Sequence, residues 1–114
     1  MVGLETALSV VVKTMIETKL MTWSDLIDRM SIAPARIAGY TNHGNQIAVG
    51  SSANLILVDV DRNWHVDRDK LMSKSKNTPF NGMELPSVIT DVFHNGEHVL
   101  QNSQIVEKKS NSNE

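Results

Sequence analysis

The hydrophobic period of this chain changes once, near Gly44, and that change limits the architectures open to it. Before it, apolar residues recur at helical spacing. Leu4, Leu8, Val11 and Met15 form a stripe that Ala7, Val12 and Ile16 widen. After it come short β-branched runs separated by turn residues. Helices followed by a small β unit read as α+β, and 114 residues suffice for one small domain with a modest core.

The first helix has Glu5 near its start and Lys19 near its end, which suits the helix dipole. Val10-Val11-Val12 lowers its intrinsic propensity, so packing must hold it. Thr22-Trp23-Ser24-Asp25 has the form of an N-cap with an acid three positions on, and Leu26, Ile27 and Met30 follow on one face. A third, short helix is expected to start at Pro34, whose fixed φ suits a first helical position, and to stop at Gly39. Three helices within residues 1–40, each apolar on one side, cannot cover one another. They require a sheet or further helices.

Beyond Gly44, Gln46 to Val49 reads as a short strand and Leu55 to Val60 as a longer one, with Trp64-His65-Val66 expected to pair with it. Asp67 to Lys74 is expected to form a helical turn, and Asn77 to Leu85 a loop anchored by Pro79 and Gly82. The clearest local feature is a hairpin over 88–100. Val88 to His94 and Glu97 to Leu100 flank Asn95-Gly96, the dipeptide that favours a type I′ turn. Residues 107–114 are Lys, Ser, Asn and Glu with a single Val before them, a solvated tail expected to be disordered.

Composition removes several classes of function. A formal charge of −2 gives no electrostatic reason to bind nucleic acid or an anionic membrane. Without cysteine there is no disulfide, thiol nucleophile or thiolate metal site, which agrees with a reducing cytoplasm. The apolar run Ala7 to Val12 is interrupted at Ser9 and falls far short of the ~20 residues of a membrane span. Glu5 as the first charge opposes a signal peptide. A cytoplasmic protein is expected.

Two stretches imitate metal motifs and fail on context. His94-Asn95-Gly96-Glu97-His98 has the written form H-x-x-E-H, a zinc-protease signature that needs both histidines on one helical face. Asn-Gly after an alternating strand opposes a helix. Asp59-x-Asp61-x-Asn63 copies the opening of a calcium loop, but Trp64 stands where glycine is needed and Lys70 where a bidentate glutamate belongs. His43 and His65 are isolated, and Arg68, Lys70, Lys74 and Lys76 lie among Asp67 and Asp69 as a mixed solvated face. No glycine-rich phosphate loop occurs, and two Phe, two Trp and one Tyr offer little for base stacking. The residues alone name no active site.

As phrases, several stretches resemble class I dihydroorotases and their cyclic amidohydrolase relatives, in nearly the same order and spacing. Val2-Gly3-Leu4-Glu5-Thr6-Ala7-Leu8 resembles the start of the helix after the last barrel strand. Met30-Ser31-Ile32-Ala33-Pro34-Ala35-Arg36-Ile37 resembles the short helix leading out of the barrel, with Ala33 where many relatives carry asparagine. Val49 to Asp59 resembles the strand entering a small β-sandwich, with Asn54 in place of a more usual aspartate. Ser73-Lys74-Ser75-Lys76-Asn77-Thr78-Pro79-Phe80 with Gly82 is more particular to dihydroorotases than to allantoinases or hydantoinases.

The resemblance implies an α/β fold in which residues 1–40 are terminal helices of a (β/α)8 barrel and residues 41–106 part of the sandwich lobe. It also implies zinc-dependent, reversible hydrolysis of dihydroorotate to carbamoyl aspartate in pyrimidine biosynthesis. The family's metal ligands, an early His-x-His pair, a modified lysine, two further histidines and an aspartate, precede the point where this chain begins. None is carried over onto His43, His65, His94 or His98. Gly3 alone is expected near the site, on the rim of the substrate loop, or else as a turn glycine before a helix. A typical barrel takes ~250 residues, so the chain is expected to be a C-terminal fragment, inactive alone. Met1 would then be an internal methionine, a false start or a frameshift product. Expected partners are the missing barrel portion, a second copy of the enzyme, or an aspartate transcarbamoylase. The alternatives are a non-catalytic interaction module, or a piece of an allantoinase or dihydropyrimidinase.

Overall fold

The first helix, α1 (Ala7–Val11), continues directly into a wider, π-type turn over Val12–Ile16. It begins later than the apolar stripe implies, so Leu4 lies outside it and is 97% exposed. Glu5 also precedes it and binds a distant loop rather than the helix end. The hydroxyls of Thr14 and Thr18 donate to carbonyls four residues back, Val10 at 2.8 Å and Thr14 at 2.6 Å, a competition with the backbone ladder that bends helices. These coordinates are a computed structural model in which residues 1–107 are described. The tail expected over 107–114 lies, beyond Glu107, outside the described residues.

Thr22 caps α2 (Trp23–Ile27) as its sequence requires. Its Oγ1 accepts from Asp25 N at 3.1 Å and its own N–H donates to Asp25 Oδ2 at 3.0 Å, a reciprocal capping box. The expected break before Pro34 is absent. A π-type turn over Asp28–Ile32 joins α2 to α3 (Ala33–Ala38) without interruption. Ala33 N–H reaches back to Asp28 O, so the ladder is already displaced by one residue where proline has no N–H to give. The run stops at Gly39, whose φ of 77° lets Gly39 N bond Arg36 O and Tyr40 N bond Ala35 O.

Four antiparallel strands follow in the order β1-β2-β3-β4: β1 (Leu55–His65), β2 (Glu84–His94), β3 (Glu97–Gln101) and β4 (Gln104–Ile105). Two expectations are corrected here. Gln46 to Val49 is irregular and exposed and joins no strand among the described residues. Trp64-His65 does not pair with β1 but continues it past an irregularity, where Val60, Asp61 and Arg62 lie opposite the single residue Ser87. The helical turn expected over Asp67 to Lys74 shrinks to one 3₁₀ turn, Arg68–Lys70, capped by the Asp67 carboxylate.

The hairpin forms as expected, with Asn95 at φ 49° and Gly96 at φ 82°. A second turn of the same kind, Asn102-Ser103 at φ 50° and 61°, joins β3 to β4 and was not expected. The observed unit is α+β, with α1 packed on β2.

Its core is small. Val12, Leu26, Ala35, Val66, Leu71 and Leu85 are the buried hydrophobic residues among those described, joined by Thr6, Ser9 and Ser87. Ile37 and Ile47 remain 83% and 90% exposed, and Ile56, Leu57 and Val60 on β1 about half so. Among the described residues no helix is long and apolar enough to cross a membrane.

Candidate functional site

The innermost polar constellation joins α1 to the irregular stretch of the sheet. Ser9 is 4% exposed and faces β2 from the helix. Its hydroxyl donates to Ser87 O at 2.9 Å and accepts from Trp64 Nε1 at 3.0 Å. Ser87 adopts φ 67° to turn its carbonyl to the helix, and its own buried Oγ has no partner among the described residues. This is a structural junction. It holds no acid, base or nucleophile pair of the kind chemistry needs.

A second constellation ties the start of the chain to the loop after the 3₁₀ turn. Val2 N donates to Asn77 O at 2.9 Å, and Met72 N donates to both Glu5 carboxylate oxygens at 3.0 and 3.2 Å. Lys76 Nζ binds Leu71 O at 2.6 Å, folding the loop on itself. The loop from Met72 to Asn77 is therefore a bracket around residues 2–5. Gly3 lies between the two ties, exposed, with open space where a Cβ would stand and its carbonyl accepting from the Thr6 hydroxyl at 3.3 Å.

The histidines disperse. His98 Nε2 lies 2.8 Å from Asp91 Oδ1, and its ring stacks on Phe93 at 4.4 Å. The side chains of Thr90 and His98 hold the Asp91 carboxyl below the usual carboxylate range. His94 instead faces His43, with ring centroids 6.1 Å apart, and His43 in turn meets Tyr40 at 5.6 Å. His65 is exposed at the end of β1. In the calcium-like stretch, Asp59 Oδ1 accepts from Asp61 N at 3.2 Å, a bond within the strand.

Among the described residues no three His, Asp or Glu side chains converge where one ion could be held. The donors present therefore do not fit a resident zinc ion, which takes at least three protein ligands in a catalytic site.

Asn54 is the residue whose role the sequence concealed. Its Oδ1 accepts from Asn95 N at 2.8 Å, while Nδ2 donates to Asn42 O at 2.7 Å and reaches Asn95 Oδ1 at 3.3 Å. An aspartate could accept at this position but could not donate to the Asn42 carbonyl. Beside it lies a cavity of about 90 Å³ lined by Asn42, Asn45, Gln46, Ser52 and Asn54 among others, without a charged group. Ligand pockets run to ~300 Å³ and more, so this one is too small. The sequence marks Asn54 only as a departure from a more usual aspartate and does not mark Ser9, because each acts through partners distant along the chain.

Comparison with known proteins supplies what the geometry does not. Residues 3–99 match the model described as the amidohydrolase family. The chain is 45% identical over 105 residues to a dihydroorotase of Streptomyces coelicolor, covering 92% of this chain and 24% of that protein. It is 48% identical over 97 residues to one of Mycobacterium leprae, covering 85% and 23%. It thus spans about a quarter of the length of the curated relatives it matches. Among solved structures, an L-hydantoinase (dihydropyrimidinase) from Arthrobacter aurescens superposes with a TM-score of 0.84 at 27% identity, over 94% of this chain and 24% of that one. A D-hydantoinase from a Thermus species shares the fold, with a TM-score of 0.83 over 94% of this chain and 23% of that one at 20% identity. With the match extending over nearly all of its length, the chain belongs to the amidohydrolase family.

Proposed function

We propose that this chain is the closing quarter of a dihydroorotase, contributing barrel-end helices and part of a small sandwich lobe. The whole enzyme would be a cytoplasmic one, hydrolysing the cyclic amide of dihydroorotate reversibly to carbamoyl aspartate. The observation that carries this reading is the 45–48% identity to dihydroorotases across most of the chain. The exposed Ile37, Ile47 and Leu4 support it, since a complete small domain would cover such residues. The zinc that the reaction implies has no seat among the described side chains. The chain's contribution is therefore a scaffold, and the isolated chain is expected to be inactive and prone to self-association.

The likeness to the Arthrobacter L-hydantoinase favours a second reading, a piece of a dihydropyrimidinase. The test is to co-express the chain with the complementary three quarters of the Streptomyces coelicolor relative and assay several cyclic amides. Turnover of dihydroorotate supports the proposal. Turnover of dihydrouracil or hydantoin in its place supports the second reading. No turnover of any of them, with the two pieces associated, leaves a non-catalytic module.

A further inference from the structure

Two of the motifs singled out in the sequence contain the same dipeptide, Asn81-Gly82 and Asn95-Gly96. Asn-Gly is unusually open to succinimide formation, because glycine places no side chain around the attacking nitrogen. In that step the glycine backbone nitrogen attacks the asparagine Cγ. A C–N bond forms, the Cγ–Nδ2 bond breaks, and ammonia leaves carrying the displaced proton. Water then opens the ring to aspartate or isoaspartate. No oxidant or further reactant is needed.

In this fold both glycine nitrogens are engaged and both carboxamides are held. Gly82 N donates to Val66 O at 2.7 Å, and Asn81 Oδ1 accepts from Arg68 N at 2.9 Å. Gly96 N donates to Ala53 O at 3.1 Å, and Asn95 Oδ1 accepts from Asn54 Nδ2 at 3.3 Å. The two locks differ in what anchors them. Val66 is 2% exposed, in the core. Ala53 and Asn54 belong to the irregular, half-exposed segment ahead of β1, and at the exposed hairpin tip they hold the attacking nitrogen and the carboxamide through longer contacts.

We propose that Asn95 is a deamidation site gated by the Asn54 carboxamide, and that the fold keeps Asn81 intact although it sits in the same dipeptide. Asn54 holds Asn95 at both its backbone N–H and its side chain, and anchors itself on Asn42 O. When that grip opens, the Asn95 carboxamide can turn towards Gly96 N, which only the Ala53 carbonyl then holds. An isoaspartate at position 95 adds one backbone carbon to a two-residue turn. That moves Gly96 N off Ala53 O and detaches the hairpin tip from the segment before β1. This inference is independent of the catalytic reading above.

The test follows deamidation at both sites by peptide mapping, with the full chain held at mildly alkaline pH. Asn95 is expected to convert several-fold faster than Asn81 in the folded chain, and both at similar rates in urea. Asn54→Ala is expected to speed conversion of Asn95 several-fold and leave Asn81 unchanged. Equal rates at the two sites in the folded chain, faster loss of Asn81, or no acceleration of Asn95 in the variant would overturn the proposal. So would acceleration of both sites together, which signals general unfolding rather than a local lock. Amide hydrogen exchange on the unmodified chain gives an independent reading. Gly96 N–H is expected to exchange faster than Gly82 N–H, and the reverse order contradicts the proposal.

Discussion

Ser9 donates its hydroxyl proton to the carbonyl oxygen of Ser87 at 2.9 Å, fastening α1 to the point where β1 and β2 fall out of register. The Ser9 Oγ in turn accepts from the Trp64 indole N–H at 3.0 Å. One side chain thus satisfies a helix-facing carbonyl and a partly buried N–H that no ladder bond could reach. Ser9→Ala leaves both unpaired. The expected cost is about 1–3 kcal/mol, the usual penalty for orphaning buried polar groups. It is read as a lower urea midpoint with tryptophan fluorescence as the probe. An unchanged midpoint would show that the junction contributes nothing.

Ser87 itself offers the opposite outcome. Its φ of 67° is a region L side chains adopt at a cost, and its buried Oγ lacks a partner among the described residues. Ser87→Gly removes both penalties against the greater chain entropy of glycine. A net stabilisation of about 1 kcal/mol is expected. A lower melting temperature for the variant would contradict it.

This fold was legible where a local interaction decides it. Thr22 with Asp25, the glycine stop at Gly39 and the Asn95-Gly96 turn are all settled within a few residues, and each forms as its sequence requires. What was hidden depends on a shift of the helical ladder and on pairing across the chain. The break expected at Pro34 is bridged by a shift in the helical ladder that begins upstream. Trp64-His65 extends β1 because Ser87, distant in sequence, absorbs three residues opposite it. The family was legible in the phrases from Val2 to Gly82, and among the described residues the side chains that imitate metal motifs face different partners.

Acid should weaken the β2–β3 pair. The Thr90 side chain, and then His98, hold the Asp91 carboxyl below its usual range. A group whose folded pKa lies below its unfolded value contributes stability that is fully present above the unfolded value. That contribution is lost as pH falls through the lowered folded value. Asp25, held down first by the Thr22 backbone, acts in the same direction. Asp91→Asn is therefore expected to flatten the fall of the urea midpoint on acidification without abolishing it. A variant with the wild-type acid slope would exclude Asp91 as a source.

The bracket around the start of the chain should show in proteolysis. Glu5 holds the Met72 amide with both carboxylate oxygens, and Lys74 and Lys76 lie just beyond it. Glu5→Ala frees the loop at that end, and trypsin is expected to cut after Lys74 and Lys76 several-fold faster. Cleavage at the wild-type rate would mean that Val2 and Lys76 hold the loop without Glu5.

The account rests on the chain being scaffold rather than reacting centre, and metal content tests that directly. Zinc is measured in the purified chain and in its His94→Ala and His98→Ala variants, with dihydroorotate turnover followed in parallel. Far less than one ion per chain is expected, the same in all three proteins, with no turnover. One zinc per chain, lost with turnover when either histidine is changed, would contradict the account.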